Sequence, residues 1–191
     1  MAVNHEWFNA DYTVRNAISV IVPAYNEARN LPELVSRIFA ALAEREDTVC
    51  ECIIVNDAST DDTERVLHKL AQKYEGLRNV RMIKNSGQSA ALLAGMRLAK
   101  GEYIITLDAD LQDAPEEIPR FLGLLAQGHD VVSGFKQVRH DPWHKVLPSR
   151  VFNWIVRRVT GVRLRDVNCG FKAYRRAVIE EVQVYGSLHR F

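Results

Sequence analysis

From residue 17 onward the chain alternates short apolar runs, rich in β-branched residues, with longer stretches whose apolar positions recur every three or four residues. Ala17-Ile18-Ser19-Val20-Ile21-Val22-Pro23 predicts a buried strand closed by a proline. Leu34, Val35, Ile38, Phe39 and Leu42 then mark one face of a helix over 31–45. Cys52 to Val55 predicts a second strand, followed by a helix over 60–74 with Ser59 or Thr60 at its N-cap. Val80 to Ile83 predicts a third strand, and 89–100 a third helix ended by Gly101. Glu102 to Leu107 predicts a fourth strand, 115–126 a fourth helix, and Val131-Val132-Ser133 a short fifth strand. Strands alternating with helices at this spacing predict an α/β fold with a parallel or mostly parallel sheet. No repeat or linker divides the chain, so residues 17–191 are expected to form one domain, with 1–16 as an N-terminal flank.

A sheet of this kind binds ligands at the carboxyl ends of its strands. The fourth strand runs directly into Asp108-Ala109-Asp110-Leu111-Gln112-Asp113. Carboxylates leaving a buried strand are costly unless a cation compensates them. Alternate residues of an extended segment share a face, so Asp108 and Asp110 are expected to converge, with Gln112 as a further oxygen ligand. Oxygen-only ligands suit Mg²⁺ or Mn²⁺, which keep open positions for substrate phosphates. Asp113 instead reads as the cap of the helix that Pro115 begins. After the second strand, Asp57 stands where a carboxylate can accept hydrogen bonds from a ribose or base, while Asp61 and Asp62 favour the next helix N-terminus. After the first strand, Tyr25 offers a ring for stacking and Glu27 a carboxylate for a hydroxyl or amine. No Gly-x-Gly-x-x-Gly, Walker-type loop or Gly-x-Ser-x-Gly elbow is present, so phosphates of a ligand would need a metal.

Composition narrows the classes. Of 191 residues, 47% are hydrophobic and 26% charged, the balance of a globular chain rather than a disordered one. No apolar run reaches the roughly 18 residues of a membrane span, and residues 1–15 lack a signal-peptide core. Cys50, Cys52 and Cys169 are odd in number and lack zinc spacing, which suits free thiols in a reducing, cytoplasmic setting. Cys169 reads as a packing residue. The formal charge of +1 conceals an asymmetry, because residues 135–176 hold 11 of the 25 Lys/Arg but 2 of the 24 Asp/Glu. Such a block, with Trp143, Phe152, Trp154 and Phe171 among its charges, reads either as a solvated face or as a surface for an anionic partner. Nucleic acid is not the expected partner.

The ordered series Ser19-Val20-Ile21-Val22-Pro23-Ala24-Tyr25-Asn26-Glu27, Val55-Asn56-Asp57-Ala58-Ser59-Thr60-Asp61, Asn85-Ser86-Gly87 and Asp108-Ala109-Asp110-Leu111-Gln112-Asp113 resembles the family 2 glycosyltransferases. Within them it most resembles the polyprenyl-phosphate branch, which includes dolichol-phosphate mannose synthase. Asp166-Val167-Asn168-Cys169-Gly170-Phe171-Lys172 and Leu188-His189-Arg190-Phe191 look like the same branch. The resemblance spans about residues 17–191. It implies a GT-A fold, a nucleotide-sugar donor and inversion at the anomeric carbon. By matching position, Pro23, Tyr25, Glu27 and Asp57 would hold the nucleotide and Asp108 would contact the nucleotide side of the donor. Asp110 and Gln112 would ligate the Mg²⁺ or Mn²⁺ that bridges its diphosphate. Where relatives often have an arginine after the fifth strand, Gly134-Phe135-Lys136 offers lysine, with Arg139 just beyond. Many relatives continue into membrane helices, whereas this sequence stops at Phe191, so it reads either as a catalytic domain truncated before a membrane region or as a natural short form.

The implied acceptor, a polyprenyl phosphate, is already a nucleophile and needs cationic positioning rather than a strong base. Lys136, Arg139, Arg150 and Arg190 are the expected phosphate contacts, with Asp166 as a third catalytic carboxylate beside Asp108 and Asp110. Asp166 is expected to orient the acceptor or a basic neighbour. The basic, amphipathic stretch 151–159 either lies on an anionic membrane surface or packs on the core with Arg157 and Arg158 solvated. The expected site of action is the cytoplasmic, inner face of a membrane, held peripherally. Two alternatives stay open: a transferase acting on a glycan or other hydroxyl acceptor, and a non-catalytic nucleotide- or membrane-binding module.

Overall fold

The computed structural model of the protein describes residues 14–43, 49–134 and 169–181. Its elements are β1 (Val14–Ala24), α1 (Leu31–Leu42), β2 (Cys50–Asn56), α2 (Thr63–Lys73), β3 (Leu77–Arg81), α3 (Gln88–Leu98) and β4 (Gly101–Thr106). A 3-10 turn (Pro115–Glu117) then leads into α4 (Ile118–Ala126), followed by β5 (Val131–Ser133), β6 (Lys172–Arg175) and α5 (Arg176–Glu181). The six strands form one sheet in the order β3-β2-β1-β4-β6-β5. β1 pairs in parallel with both β2 and β4, and β2 with β3, whereas β6 runs antiparallel between β4 and β5.

The apolar run of β1 over residues 17–22, broken only by Ser19, follows from helices covering both faces of the sheet. Ile18, Val20 and Val22 pack with Cys52, Ile54, Ile105 and Leu107 against the apolar faces of α1, α2 and α4. The alternate residues Ile21, Ile53, Val55 and Ile104 meet Ala91, Leu92 and Met96 of α3 and Ile179 of α5. α3 lies close to the sheet because Gly95 has no side chain. A Cβ there would overlap Ile21 Cγ2 and stand 3.2 Å from Val55 Cγ2.

At the amino-terminal edge of the sheet the polar groups are paired. Ser19, fully buried in β1, donates its hydroxyl to Glu51 Oε1 at 2.7 Å and accepts the Gly101 N–H at 2.9 Å. Glu51 also accepts the Lys100 N–H at 2.7 Å and Arg78 Nη1 at 2.8 Å. Burial pushes the Glu51 carboxyl up, but these hydrogen bonds together with the Arg78 charge outweigh it and hold the group below its ordinary value. Arg176, also buried, donates to the carbonyls of Ala99 and Gly101, tying α5 to the end of α3.

Several boundaries differ from expectation. β3 covers Leu77–Arg81 rather than 80–83, and Ile83 projects fully into solvent. α1 ends at Leu42, and α2 begins at Thr63 with Asp62 at its cap position, so Ser59 and Thr60 belong to the preceding loop. β6 has no counterpart in the apolar pattern because its four residues read Lys-Ala-Tyr-Arg. Part of the basic block is therefore structural. Lys172 is buried, Arg175 Nε donates to the His129 carbonyl at 3.3 Å, and Arg176 is spent on carbonyls.

Candidate active site

Strand order reverses between β1 and β4, which are neighbours whose chains continue to opposite sides of the sheet. In an open α/β sheet this reversal leaves a crevice at the carboxyl ends of the strands. The loops after β1, β2, β3 and β4 open there, and the antiparallel β6 brings Cys169-Gly170-Phe171 to the same end.

The first two loops are stitched together. Asn26 has a φ of 58°, a conformation asparagine tolerates better than most residues. Its Oδ1 accepts the Thr60 N–H at 2.8 Å and the Asp61 N–H at 3.3 Å, while its own N–H donates to Ser59 Oγ at 2.9 Å. The Glu27 N–H donates to Thr63 Oγ1 at 2.9 Å, and the Glu27 carboxylate accepts Asn30 Nδ2 at 2.6 Å. Asp61 receives the Ala28 and Thr63 amides. Burial raises its carboxyl, but the Thr63 hydroxyl and these amides outweigh that and hold it below its usual range. Tyr25 stays 46% exposed at the rim, and Pro23 is half-buried opposite Val55. Asn26 was not among the candidates. Its signal in the sequence is only that asparagine is a favoured residue for a left-handed turn.

Asp57, expected to meet a nucleotide, is 3% exposed and holds the loop before α3. Its Oδ1 accepts the Ser86 N–H and its Oδ2 the Gly87 N–H, each at 2.8 Å. An ionised carboxylate has about four acceptor sites, so two amides do not exhaust it. Gly87, with a φ of 87°, turns the chain into α3, whose first residue is Gln88.

Gln88 reaches the acidic loop. Its Nε2 donates to Asp108 Oδ1 at 2.7 Å. Gly170 lies against the same carboxylate: a Cβ there would stand 2.5 Å from both Cγ and Oδ1 of Asp108 and nearer still to Oδ2. The Asp108 N–H donates to Oδ2 of the buried Asp113 at 3.3 Å. Asp113 thus braces this loop, and no side chain caps the turn at Pro115. The expectation of an extended segment with Asp108, Asp110 and Gln112 on one face is corrected. Residues 109–111 form a turn, with Leu111 at a φ of 62°. The turn instead joins Asp110 to Gln112, whose N–H donates to Asp110 Oδ1 at 3.0 Å, and both residues are exposed. Among the described residues no three Asp, Glu, His or Cys side chains converge as a self-sufficient metal cage. Asp166, Lys136, Arg139, Arg150, Arg190 and the 151–159 stretch lie outside the described residues.

The thiols play no visible part here. No two of the three cysteines form a disulfide, and Cys169 is buried in the core as expected of a packing residue. Burial pushes the Cys52 thiol up to about 12, far from a reactive thiolate.

The family model of glycosyl transferase family 2 matches residues 19–183, a span that takes in every one of these loops. The chain belongs to glycosyl transferase family 2. Among relatives of this family 2 chain is the undecaprenyl-phosphate 4-deoxy-4-formamido-L-arabinose transferase of Pseudomonas syringae pv. syringae. It is 41% identical over 164 residues, 85% of this chain and 48% of the relative. The enzyme of the same name from Aeromonas hydrophila is 42% identical over 85% of this chain and 50% of its own length. The chain therefore spans about half the length of these relatives. The resemblance to the polyprenyl-phosphate branch agrees with their names.

Solved structures agree on architecture. The mannosyltransferase PcManGT from Pyrobaculum calidifontis, in complex with GDP-Man and Mn²⁺, has a TM-score of 0.68 and 25% identity over 94% of this chain and 50% of that one. Glucosyl-3-phosphoglycerate synthase from Mycobacterium tuberculosis, in complex with UDP, has a TM-score of 0.67 and 24% identity over 85% of this chain and 58% of that one. The fold is GT-A, as the family resemblance implied. No helix among the described residues is long and apolar enough to cross a membrane.

Proposed function

We propose that this family 2 chain carries the donor half of a metal-dependent, inverting glycosyltransferase that moves one sugar from a nucleotide-sugar to a polyprenyl phosphate. The observation that carries the reading is the acidic loop after β4 at the strand-order reversal. There a fixed carboxylate, Asp108, is followed by the exposed pair Asp110 and Gln112. This donor set fits a hard divalent cation. Asp110 and Gln112 would supply a carboxylate and an amide oxygen, the kind of hard ligands that such a cation takes together with substrate phosphates and water. When bound, Mg²⁺ or Mn²⁺ would neutralise the charge that develops on the departing nucleoside diphosphate. Pro23, Tyr25, Glu27 and Asp57 line the nucleotide side in this reading, and Asp108 accepts hydrogen bonds from donor hydroxyls. Lys136, Arg139, Arg150 and Arg190 hold the acceptor phosphate, and Asp166 orients the acceptor or one of these cations. The names of the relatives support undecaprenyl phosphate as the acceptor class and hence work at a membrane face, for which we take the cytoplasmic side.

The test is a thermal-shift panel of UDP-, GDP- and CDP-sugars, each with and without Mn²⁺, on the wild type and on Asp110→Ala. A ligand that binds only the folded state adds about 2.7 kcal/mol at a hundredfold excess over its Kd. A shift with one nucleotide that needs Mn²⁺ and vanishes in Asp110→Ala is the expected result. Absence of any shift from a folded wild type, or a full shift retained by Asp110→Ala, refutes the donor-site assignment.

A further inference from the structure

We infer that Gln88 is a positioning residue that sets the direction of the Asp108 carboxylate; this rests on the donor-site reading above. Asp108 follows β4, directly before the turn at 109–111, and is half-buried. One hydrogen bond to its carboxylate comes from the first residue of α3. The Gln88 Nε2 to Asp108 Oδ1 distance of 2.7 Å is at the short end for a donor facing an ionised oxygen. Gln88 is itself placed from a second strand, β2. It follows Gly87 directly, and the Ser86 and Gly87 amides are held by the two oxygens of buried Asp57 at the end of β2. Gly170 lies close against the same carboxylate. A continuous set of contacts therefore runs from β2 through the start of α3 to the acidic loop after β4.

The chemistry of glutamine suits the task. Its amide donates a hydrogen bond without bringing a charge, so Asp108 keeps its full negative charge for the hydroxyls of an incoming donor. Lysine in this place would cancel that charge, and glutamate would repel it. The exposed Gln88 contributes nothing to the apolar core, and it is separate from the Asp110–Gln112 pair offered to the metal.

The inference predicts that Gln88 acts through Asp108 and not on the fold. Calorimetric titration with Mn²⁺ and the nucleotide-sugar that shifts the wild type would be carried out on wild type, Gln88→Met, Asp108→Asn and the double variant. Methionine keeps length and neutrality and removes the donor. We expect Gln88→Met to weaken donor binding about tenfold, the effect of losing one hydrogen bond to a charged group. In the Asp108→Asn background the same change should cost less than about twofold, because the partner charge is already gone. The ligand-free melting temperature of Gln88→Met should stay at the wild-type value, which separates positioning from a structural role. An unchanged affinity in Gln88→Met, or an equal loss in both backgrounds, overturns the role of Gln88 while leaving the donor reading intact. A wild type that binds no nucleotide-sugar overturns the donor reading itself, and the inference with it.

Discussion

Gly170→Ala isolates how much depends on the position of one carboxylate. Gly170 does not have a positive φ, so alanine is compatible with its backbone. What alanine meets is Asp108, whose Cγ and Oδ1 would lie 2.5 Å from the new Cβ, where ordinary contact begins near 3.4 Å. Gly170 is poorly able to retreat, because its carbonyl accepts the Thr106 hydroxyl at 2.8 Å and the next residues pair with β4. The Asp108 side chain must therefore move by roughly 1 Å, away from the position that Gln88 holds. A misplacement of about 1 Å costs on the order of 100-fold in rate, or about 2.7 kcal/mol of transition-state stabilisation. Stability should barely change. The displaced group is the end of a flexible, half-buried side chain, and alanine restricts the unfolded chain slightly. The assay is the initial rate of sugar transfer to a short polyprenyl phosphate, with donor affinity and melting temperature measured on the same preparation. A rate and affinity within about twofold of wild type would refute the reasoning, as would a loss that merely follows unfolding.

Two further predictions concern the scaffold. Gly95→Ala pushes a methyl into the fully buried Ile21 and Val55, so we expect a loss of about 1–2 kcal/mol, overpacking being partly offset by helix propensity. Urea denaturation checks this, and an unchanged midpoint would show that α3 can lift from the sheet without cost. Glu51 has a folded pKa below its ordinary 4.5, so the unfolded chain takes up its proton first as pH falls. Its contribution is thus complete above the ordinary value and lost as pH drops through the lowered folded value. Glu51→Gln should cost about 1.5–3 kcal/mol at neutral pH, the range for hydrogen bonds to a charged group, and flatten that acid limb. An acid limb as steep as wild type in Glu51→Gln would assign the pH dependence to other carboxylates.

The parts of this molecule that were legible in its sequence are those where burial alone decides conformation. β1, β2 and β4 are covered on both faces, so their apolar runs stand out. α1 and α4 bury single stripes, so their period does too. β6 was illegible because its position depends on pairing with β4 and β5 across a long stretch of chain, and its residues alternate without an apolar majority. The acidic loop shows the limit more sharply. The identity of Asp108, Asp110 and Gln112 as candidates was visible, but the geometry inferred from strand alternation was not realised. Leu111 adopts a left-handed conformation that no local residue type announces. Gln88, Gly170 and Asn26 act through residues roughly 20 to 60 positions away, and pattern along the chain carries no trace of such contacts.

The two ends of the proposed reaction are separated by sign of charge, and the separation gives each half its own requirement. The described strand-end loops carry Glu27, Asp57, Asp61, Asp62, Asp108, Asp110 and Asp113, a surplus of acidic residues that disfavours a bare diphosphate. Several of these groups are already engaged in holding the loops, since Asp57 binds the Ser86 and Gly87 amides and Asp61 those of Ala28 and Thr63. The negative charge is therefore partly a by-product of how the pocket is built and cannot be removed without loosening it. In the proposed site a divalent cation on Asp110 and Gln112 would resolve the conflict, because it would let an anionic donor enter an acidic cradle. In the same proposal the basic block would face the opposite problem: a phosphate nucleophile would be attracted without any metal, and its orientation would be what has to be supplied. Sequence places most of that block between β5 and β6, and β6 itself leads Gly170 directly against Asp108. An acceptor phosphate held by the basic segment, as proposed, would thereby be linked through a few residues of backbone to the carboxylate that we propose meets the donor.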